Sequence, residues 1–203
     1  MGSILDKAII FAVQAHGGMV RKGTKSPYIL HPLEAAAIVA SMTDVEEVIA
    51  AAVLHDVLED TPATVNQLIE EFGQRVTAFV SAESENKREE IPATETWKLR
   101  KQETIDALNN EEHLAVKMIA LGDKLSNVRA MYRDYQAIGD RLWDRFNQKD
   151  KSEHGWYYRS IADATRELSK HPAWKEYTQL VSLSRNILQK VNLFTENFHI
   201  LKK

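Results

Sequence analysis

Ala50-Ala51-Ala52-Val53-Leu54-His55-Asp56-Val57-Leu58-Glu59-Asp60-Thr61 decides how this chain is read. Its first five residues are small or aliphatic and predict a helix buried on all sides. An imidazole and three carboxylates follow within six positions. Burying such groups is costly unless a metal or a partner satisfies them. The tetrad therefore reads as half of a hydrolytic metal site.

Helical spacing extends outward from this stretch in both directions. Ser3 is a suitable N-cap, with Ile4, Ala8, Phe11, Ala12 and Ala15 on one face and His16-Gly17-Gly18 as the stop. Residues 21–26 are a polar, basic loop. Pro32 suits the first position of the next helix, whose apolar face carries Leu33, Ala36, Ala37 and Ala40. Asp44 is expected to cap a third helix running through Leu58. Thr64 caps a fourth that stops at Gly73, and Val76 to Ala82 reads as a fifth. Ser81 to Glu95, with Pro92, reads as a loop. Helices are expected over Glu95–Leu108, His113–Tyr135, Ile138–Phe146, Trp156–Ser169 and Trp174–Gln189, with a polar break at 147–155. The alternation of strands is missing, so the expectation is all-α: one domain over 1–203, built of roughly eight to ten helices.

Composition narrows the function classes. The 203 residues are 44% hydrophobic and 27% charged, as in ordinary globular chains. A net charge of −3 gives no push toward nucleic acid, for which a basic stripe is expected. Apolar runs stay short of the roughly 20 residues that span a bilayer. Met1-Gly2-Ser3 leads into a segment with Asp6 and Lys7, unlike a secretory signal. With zero cysteines, disulfides and thiol chemistry are excluded, and a reducing cytoplasm is the expected compartment.

One His and one Asp do not complete a metal site. His31, at the loop-to-helix junction before Pro32, is the first further candidate. Asp123 is the second, in Gly122-Asp123-Lys124-Leu125-Ser126-Asn127 after the apolar run Ala115–Ala120. Two imidazoles with two carboxylates suit Mn²⁺, Fe²⁺, Co²⁺ or Zn²⁺ better than Mg²⁺ or Ca²⁺. Glu59 and Asp60 lie four residues after His55 and Asp56, so a continuing helix carries them around the rim of the same cavity. There they would orient or deprotonate water, or protonate a leaving group. Taken alone, Glu59-Asp60 reads as a helix end running into the Thr61-Pro62 turn. His16, His113, His154, His171 and His199 read as structural or surface residues.

The order His31, His55-Asp56, Asp123 resembles the HD-domain metal-dependent phosphohydrolases. Within them it is most similar to the hydrolase domain of RelA/SpoT-type enzymes and to the stand-alone small alarmone hydrolases. Ala15-His16-Gly17-Gly18-Met19-Val20-Arg21-Lys22 and Pro27-Tyr28-Ile29-Leu30-His31-Pro32 carry the likeness, together with His55 to Thr61 and Gly122 to Asn127. It covers about residues 5–135, leaving 136–203 as a helical elaboration. The Glu-Asp pair directly after His-Asp is the discriminating mark.

The resemblance implies an all-helical fold, a bound Mn²⁺ and removal of the 3′-pyrophosphate from ppGpp or pppGpp, giving GDP or GTP, as in the stringent response. It makes His31, His55, Asp56 and Asp123 the metal ligands, and Glu59 and Asp60 the pair that handles the attacking water. Arg21 and Lys22 match basic residues beside the nucleotide, and Asn127 matches one near the ribose. Arg21 suits an anionic purine nucleotide for a separate reason, since guanidinium stacks on a base and lysine does not. Met19 departs from the usual Gln. With the chain ending at Lys203, a hydrolase without a synthetase module is expected.

The same machinery acting on ppApp or on the 2′-phosphate of NADPH is the nearest alternative. A catalytically silent nucleotide-binding regulator is an alternative of another class. Oligomeric state, with a homodimer as one outcome, and an antitoxin role toward an alarmone synthetase stay open. Asn86-Lys87-Arg88, Lys98, Arg100 and Lys101 read more readily as solvated helix charges than as an arm over phosphates. The aromatics Trp143, Phe146, Trp156, Tyr157 and Tyr158 read as packing core rather than base-stacking residues.

Overall fold

The computed structural model describes residues 2–88 and 90–188; His199 and the expected helix end at Gln189 lie outside them. The described residues are helical throughout, apart from loops and one isolated antiparallel bridge between Val20 and Pro27. The chain is all-α, as the spacing predicts.

Helix α1 (Ile4–Ala15) starts with a reciprocal cap. Ser3 Oγ accepts the Asp6 N–H at 3.2 Å, and Asp6 Oδ2 accepts the Ser3 N–H at 3.0 Å. Helix α2 (Leu30–Ala40) begins two residues earlier than Pro32 suggested, so the proline's missing N–H still falls in the first turn, where no intrahelical partner exists. Helix α3 (Glu46–Leu54) runs through the middle, packed on α1 and α2, with Ala50 to Leu54 all fully buried. Its cap is Val45 rather than Asp44, because Thr43 Oγ1 takes the Val45 N–H at 3.2 Å.

The expected continuation of α3 to Leu58 does not occur. The helix ends at Leu54, turns at His55-Asp56, and resumes as α4 (Val57–Asp60). In an unbroken helix the Asp56 N–H would bond the Ala52 carbonyl. That carbonyl instead accepts His55 Nδ1 at 2.8 Å, and ψ of −5° at Asp56 tightens the turn.

Helix α5 (Val65–Glu83) carries a Thr64/Gln67 capping box and breaks direction at Gly73, whose φ of +81° favours glycine. The two helices expected on either side of Gly73 are thus its two arms. Helix α6 (Ala93–Asn110) follows the 84–92 loop. Helix α7 (Leu114–Ile138), capped by His113, is the longest among the described residues. It packs on α2, α3 and α5, and buries Ile119, Leu121 and Leu125 completely. Each such side chain contributes about 1.5–3 kcal/mol. The helix expected over 138–146 is a 3₁₀ segment over Gly139–Arg145.

Helix α8 (Lys151–Ala164) begins inside the expected 147–155 break, because Asp150 accepts the Ser152 N–H at 2.8 Å and caps it. His154 and Gly155 are then buried, with the His154 ring 5.2 Å from Trp143 and 5.4 Å from Trp97. Helix α9 (Pro172–Leu188) packs on α7 and α8, anchored by the fully buried Tyr177, whose hydroxyl donates to the Tyr158 carbonyl at 2.9 Å.

α2 and α7 touch most closely at Gly122. A Cβ there would stand 2.8 Å from Val39 Cγ2 and 2.9 Å from the Ala35 carbonyl oxygen. The next residue on α7 is Asp123, which this approach brings against the first turn of α2.

Candidate metal centre

His31, His55 and Asp123 are all buried, and one ligand atom from each lies within 4.8 Å of the others. His31 comes from the start of α2, His55 from the break after α3, and Asp123 from the middle of α7. His31 Nε2 is 3.1 Å from Asp123 Oδ1 and 3.5 Å from Asp56 Oδ2. His55 Nε2 is 3.1 Å from Asp56 Oδ2 and 3.7 Å from Asp123 Oδ1. The four residues singled out in the sequence therefore converge.

Each imidazole is held from behind. His55 Nδ1 bonds the Ala52 carbonyl and His31 Nδ1 meets Ser126 Oγ at 2.9 Å, so both rings aim Nε2 into the cluster. This is how metal-ligating imidazoles are oriented. His55 Nε2 is buried without a hydrogen-bond partner despite its carboxylate neighbours, an orphan that a cation would satisfy. The mixed N/O donor set fits a divalent metal ion.

Electrostatics follow from the crowding. Burial alone would push His55 down, but Asp56 and Asp123 outweigh it and hold its pKa well above the ordinary value. Burial alone would raise both carboxyls, but the imidazoles, and for Asp123 first of all the adjacent Lys124 ammonium, hold them low. A metal entering here must displace the His55 proton, which makes its affinity pH-dependent.

Glu59 and Asp60 come next, on α4. The Tyr28 hydroxyl is 2.7 Å from Asp56 Oδ2 and 2.7 Å from Asp60 Oδ2. Lys87, from the 84–92 loop, donates to Asp60 Oδ1 at 2.6 Å and to the Glu59 carbonyl at 2.8 Å, with Glu59 Oε1 at 3.6 Å. Burial, then the Asp56 charge, raises the Glu59 carboxyl above the usual range.

His31 also borders an open cleft of about 500 Å³, which Arg21, Lys22 and Asn127 line. Arg21 Nη2 donates to Asn127 Oδ1 at 2.6 Å, and Asn127 Nδ2 donates to Asp123 Oδ1 at 2.5 Å. Cleft and cluster are thus joined by a chain of direct contacts. Phe146 and Tyr158 are also in this wall, whereas Trp143 and Tyr157 are buried in the core.

Of the basic segment, Lys87 reaches the site. Arg88 pairs with Glu103 at 2.5 Å, Lys98 pairs with Glu153, and Arg100 and Lys101 pair with Glu85 at 2.9 and 2.5 Å.

Sequence reasoning passed over three residues. Tyr28 and Lys124 lie inside the quoted motifs, Tyr28 three residues before His31 and Lys124 directly after Asp123, and that proximity was the available signal. His16, read as structural or surface, is buried with neither ring nitrogen partnered, its ring 4.9 Å from that of Tyr28. Burial first, against the pull of Asp56 and Asp60, lowers its pKa.

Comparison with known proteins places this geometry. GTP pyrophosphokinase rsh of Brucella ovis (strain ATCC 25840 / 63/290 / NCTC 10512) is 34% identical over 132 residues, 64% of this chain and 17% of that protein. Guanosine-3′,5′-bis(diphosphate) 3′-pyrophosphohydrolase of Aquifex aeolicus (strain VF5) is 34% identical over 128 residues, 63% of this chain and 18% of that protein. The chain thus spans less than a fifth of the length of these curated relatives. Among solved structures, a metazoan ortholog of SpoT described as hydrolysing ppGpp matches with a TM-score of 0.72. At 22% identity over 93% of this chain and 98% of its own, that likeness is one of fold. The crystal structure of lmo0812 from Listeria monocytogenes EGD-e matches with a TM-score of 0.66 and 30% identity, covering 79% of this chain and 97% of its own. A family model described as HD domain matches residues 8–146, the span that holds all four converging residues. This chain belongs to the HD domain family.

Proposed function

We propose that this protein hydrolyses the 3′-pyrophosphate of guanosine alarmones, converting ppGpp or pppGpp to GDP or GTP plus pyrophosphate. The observation that carries the reading is the junction of the His/Asp cluster with a cleft lined by Arg21, Lys22 and Asn127. The name of the Aquifex relative, a guanosine-3′,5′-bis(diphosphate) 3′-pyrophosphohydrolase, supports it.

His31, His55, Asp56 and Asp123 would hold the metal, Mn²⁺ on this reading. The ion supplies Lewis acidity and makes water usable as hydroxide at neutral pH. Glu59, with its raised carboxyl, orients the attacking water and takes its proton, since a base is most effective with a pKa near the working pH. Asp60, fixed by Tyr28 and Lys87, holds the other side of that water. Arg21 and Lys22 neutralise substrate phosphates, and Asn127 meets the ribose. Residues 1–203 form one domain on this reading, with α8 and α9 as its elaboration. The cytoplasm, which holds the nucleotide pool, is the compartment it calls for.

Purified protein with Mn²⁺ is expected to release pyrophosphate from ppGpp. Asp123→Ala and Glu59→Ala abolish this while remaining folded by circular dichroism. Release of orthophosphate alone, or full activity in both variants, contradicts the reaction. Parallel assays with ppApp and NADPH fix the base and the phosphate position.

A further inference from the structure

A line of side chains runs outward from His31 on the side away from the cluster. Ser126 Oγ donates to Glu34 Oε2 at 2.8 Å. A hydroxyl has one proton to give, so toward His31 it accepts, which makes Nδ1 the donor there and turns Nε2 toward the cluster. The other oxygen of Glu34 accepts Arg129 Nη1 at 3.1 Å. Arg129 turns its remaining edge to Glu176, with Nε 2.6 Å from Oε1 and Nη2 2.7 Å from Oε2. Glu176 is on α9, beyond residue 146, where the HD domain match ends. Its neighbour Tyr177 is fully buried, so the helix register that presents Glu176 is set by the core.

The two imidazoles are therefore supported differently. His55 leans on a main-chain carbonyl, which comes with the helix itself. His31 leans on four side chains from three helices. Arg129 and Glu176 are 31% and 43% exposed, and ion pairs so open to water add little to fold stability. Their geometry is nevertheless two-pronged, which fixes direction as well as distance. Such a pairing suits orientation more than cohesion.

We propose that Glu176, acting through Arg129, Glu34 and Ser126, is a positioning residue for the metal ligand His31. α9 would then tune how tightly the centre holds its ion. Partners behind a ligating histidine typically govern metal affinity by about 10–100-fold. The proposal rests on His31 being a ligand and is independent of which nucleotide is cleaved.

The test is calorimetric titration of the full chain with Mn²⁺, without nucleotide. Ser126→Ala and Glu34→Gln are expected to weaken Mn²⁺ binding about 10–100-fold. Glu176→Ala should weaken it by roughly threefold to tenfold, the attenuated form of the same effect carried on through Arg129. Glu176→Asp keeps the carboxylate and should recover most of the loss. The visible absorption of the Co²⁺-loaded protein should change in Glu34→Gln, because the ligand field depends on the His31 ring. A purely structural role would instead lower the melting temperature of the metal-free protein and leave affinity and spectrum alone. Binding within twofold of wild type in both Glu34→Gln and Glu176→Ala overturns the proposal. Failure of the wild type to bind Mn²⁺ overturns it together with the metal centre. Weakened binding in a protein that releases no pyrophosphate from ppGpp upholds it and sinks the substrate reading alone.

Discussion

The Tyr28 hydroxyl touches Asp60 and Asp56 at the same 2.7 Å, so a single proton bridges a proposed metal ligand and a proposed water-handling carboxylate. Burial, then the two carboxylate charges, pushes the phenol pKa far above its normal value, which keeps Tyr28 a neutral donor at every working pH. Tyr28→Phe removes the bridge and leaves two carboxylates facing each other. Mn²⁺ affinity or kcat/KM is expected to fall about 10–100-fold, with a stability loss of only about 1 kcal/mol for the missing hydrogen bond. Titration calorimetry and urea melts separate the two effects. A variant with wild-type affinity and turnover would remove Tyr28 from the site.

Lys87 is the cation set against Glu59 and Asp60. Among the influences on Glu59, Lys87 is one that lowers its pKa, against burial and Asp56, which raise it. Removing the ammonium in Lys87→Ala must therefore raise the Glu59 carboxyl further. If Glu59 works as the base, the acid limb of the kcat/KM profile moves to higher pH, and activity at low pH falls more than at high pH. A pH–rate series on both proteins checks this, and an unmoved acid limb would show that Glu59 is not the titrating group.

Gly122 tests the packing that brings Asp123 to His31. Its missing side chain lets α7 approach the Ala35 carbonyl and Val39. Gly122→Val forces the helices apart at an expected cost of about 1–3 kcal/mol, typical of overpacking. The same shift should lengthen the Asp123–His31 approach and weaken metal binding. Thermal unfolding with and without Mn²⁺ reads both, and the metal-induced rise in Tm should shrink in the variant.

Glu83, at the end of α5, gives a pH signature in the metal-free protein. Burial, opposed by Lys124 and aided by Asp123, pushes its carboxyl up to about 7. The folded state thus holds a proton that the unfolded chain has lost, and stability falls as pH rises from the ordinary glutamate range through about 7. Glu83→Gln should flatten this decline and be the more stable protein at pH 8. Chemical denaturation in EDTA across pH 4 to 8 measures it; parallel curves for the two proteins would refute it.

The converging His/Asp cluster was legible in the sequence because each of its members borders an apolar run: His31 before Leu33–Ala40, His55-Asp56 after Ala50–Leu54, Asp123 after Ala115–Ala120. A charge at the end of a core segment is visible without a structure. The break at His55-Asp56 was not, because its cause is a side-chain bond from His55 to a carbonyl that helical periodicity takes no account of. Tyr28 escaped, and Lys87 read as a solvated charge, for a related reason. Each does its work through a partner distant in sequence, and nothing in the local pattern separates Lys87 from Arg88, which merely pairs with Glu103. The start of α8 was obscured by its own composition. Residues 147–155 are polar enough to read as a break, yet Asp150 caps a helix and the surrounding rings bury His154.

The break between α3 and α4 also makes the arrangement a matter of rotational phase. Each added helical residue turns the side chains after it by about 100°. Inserting one alanine after Val57 would leave His55 and Asp56 where they are, since both precede it, and would swing Glu59 and Asp60 away from Tyr28 and Lys87. On the proposed reading, binding of an ion and activation of water would thus be separable by a single residue of chain length. A protein that kept the first and lost the second would be a receptor for the proposed nucleotide rather than its hydrolase.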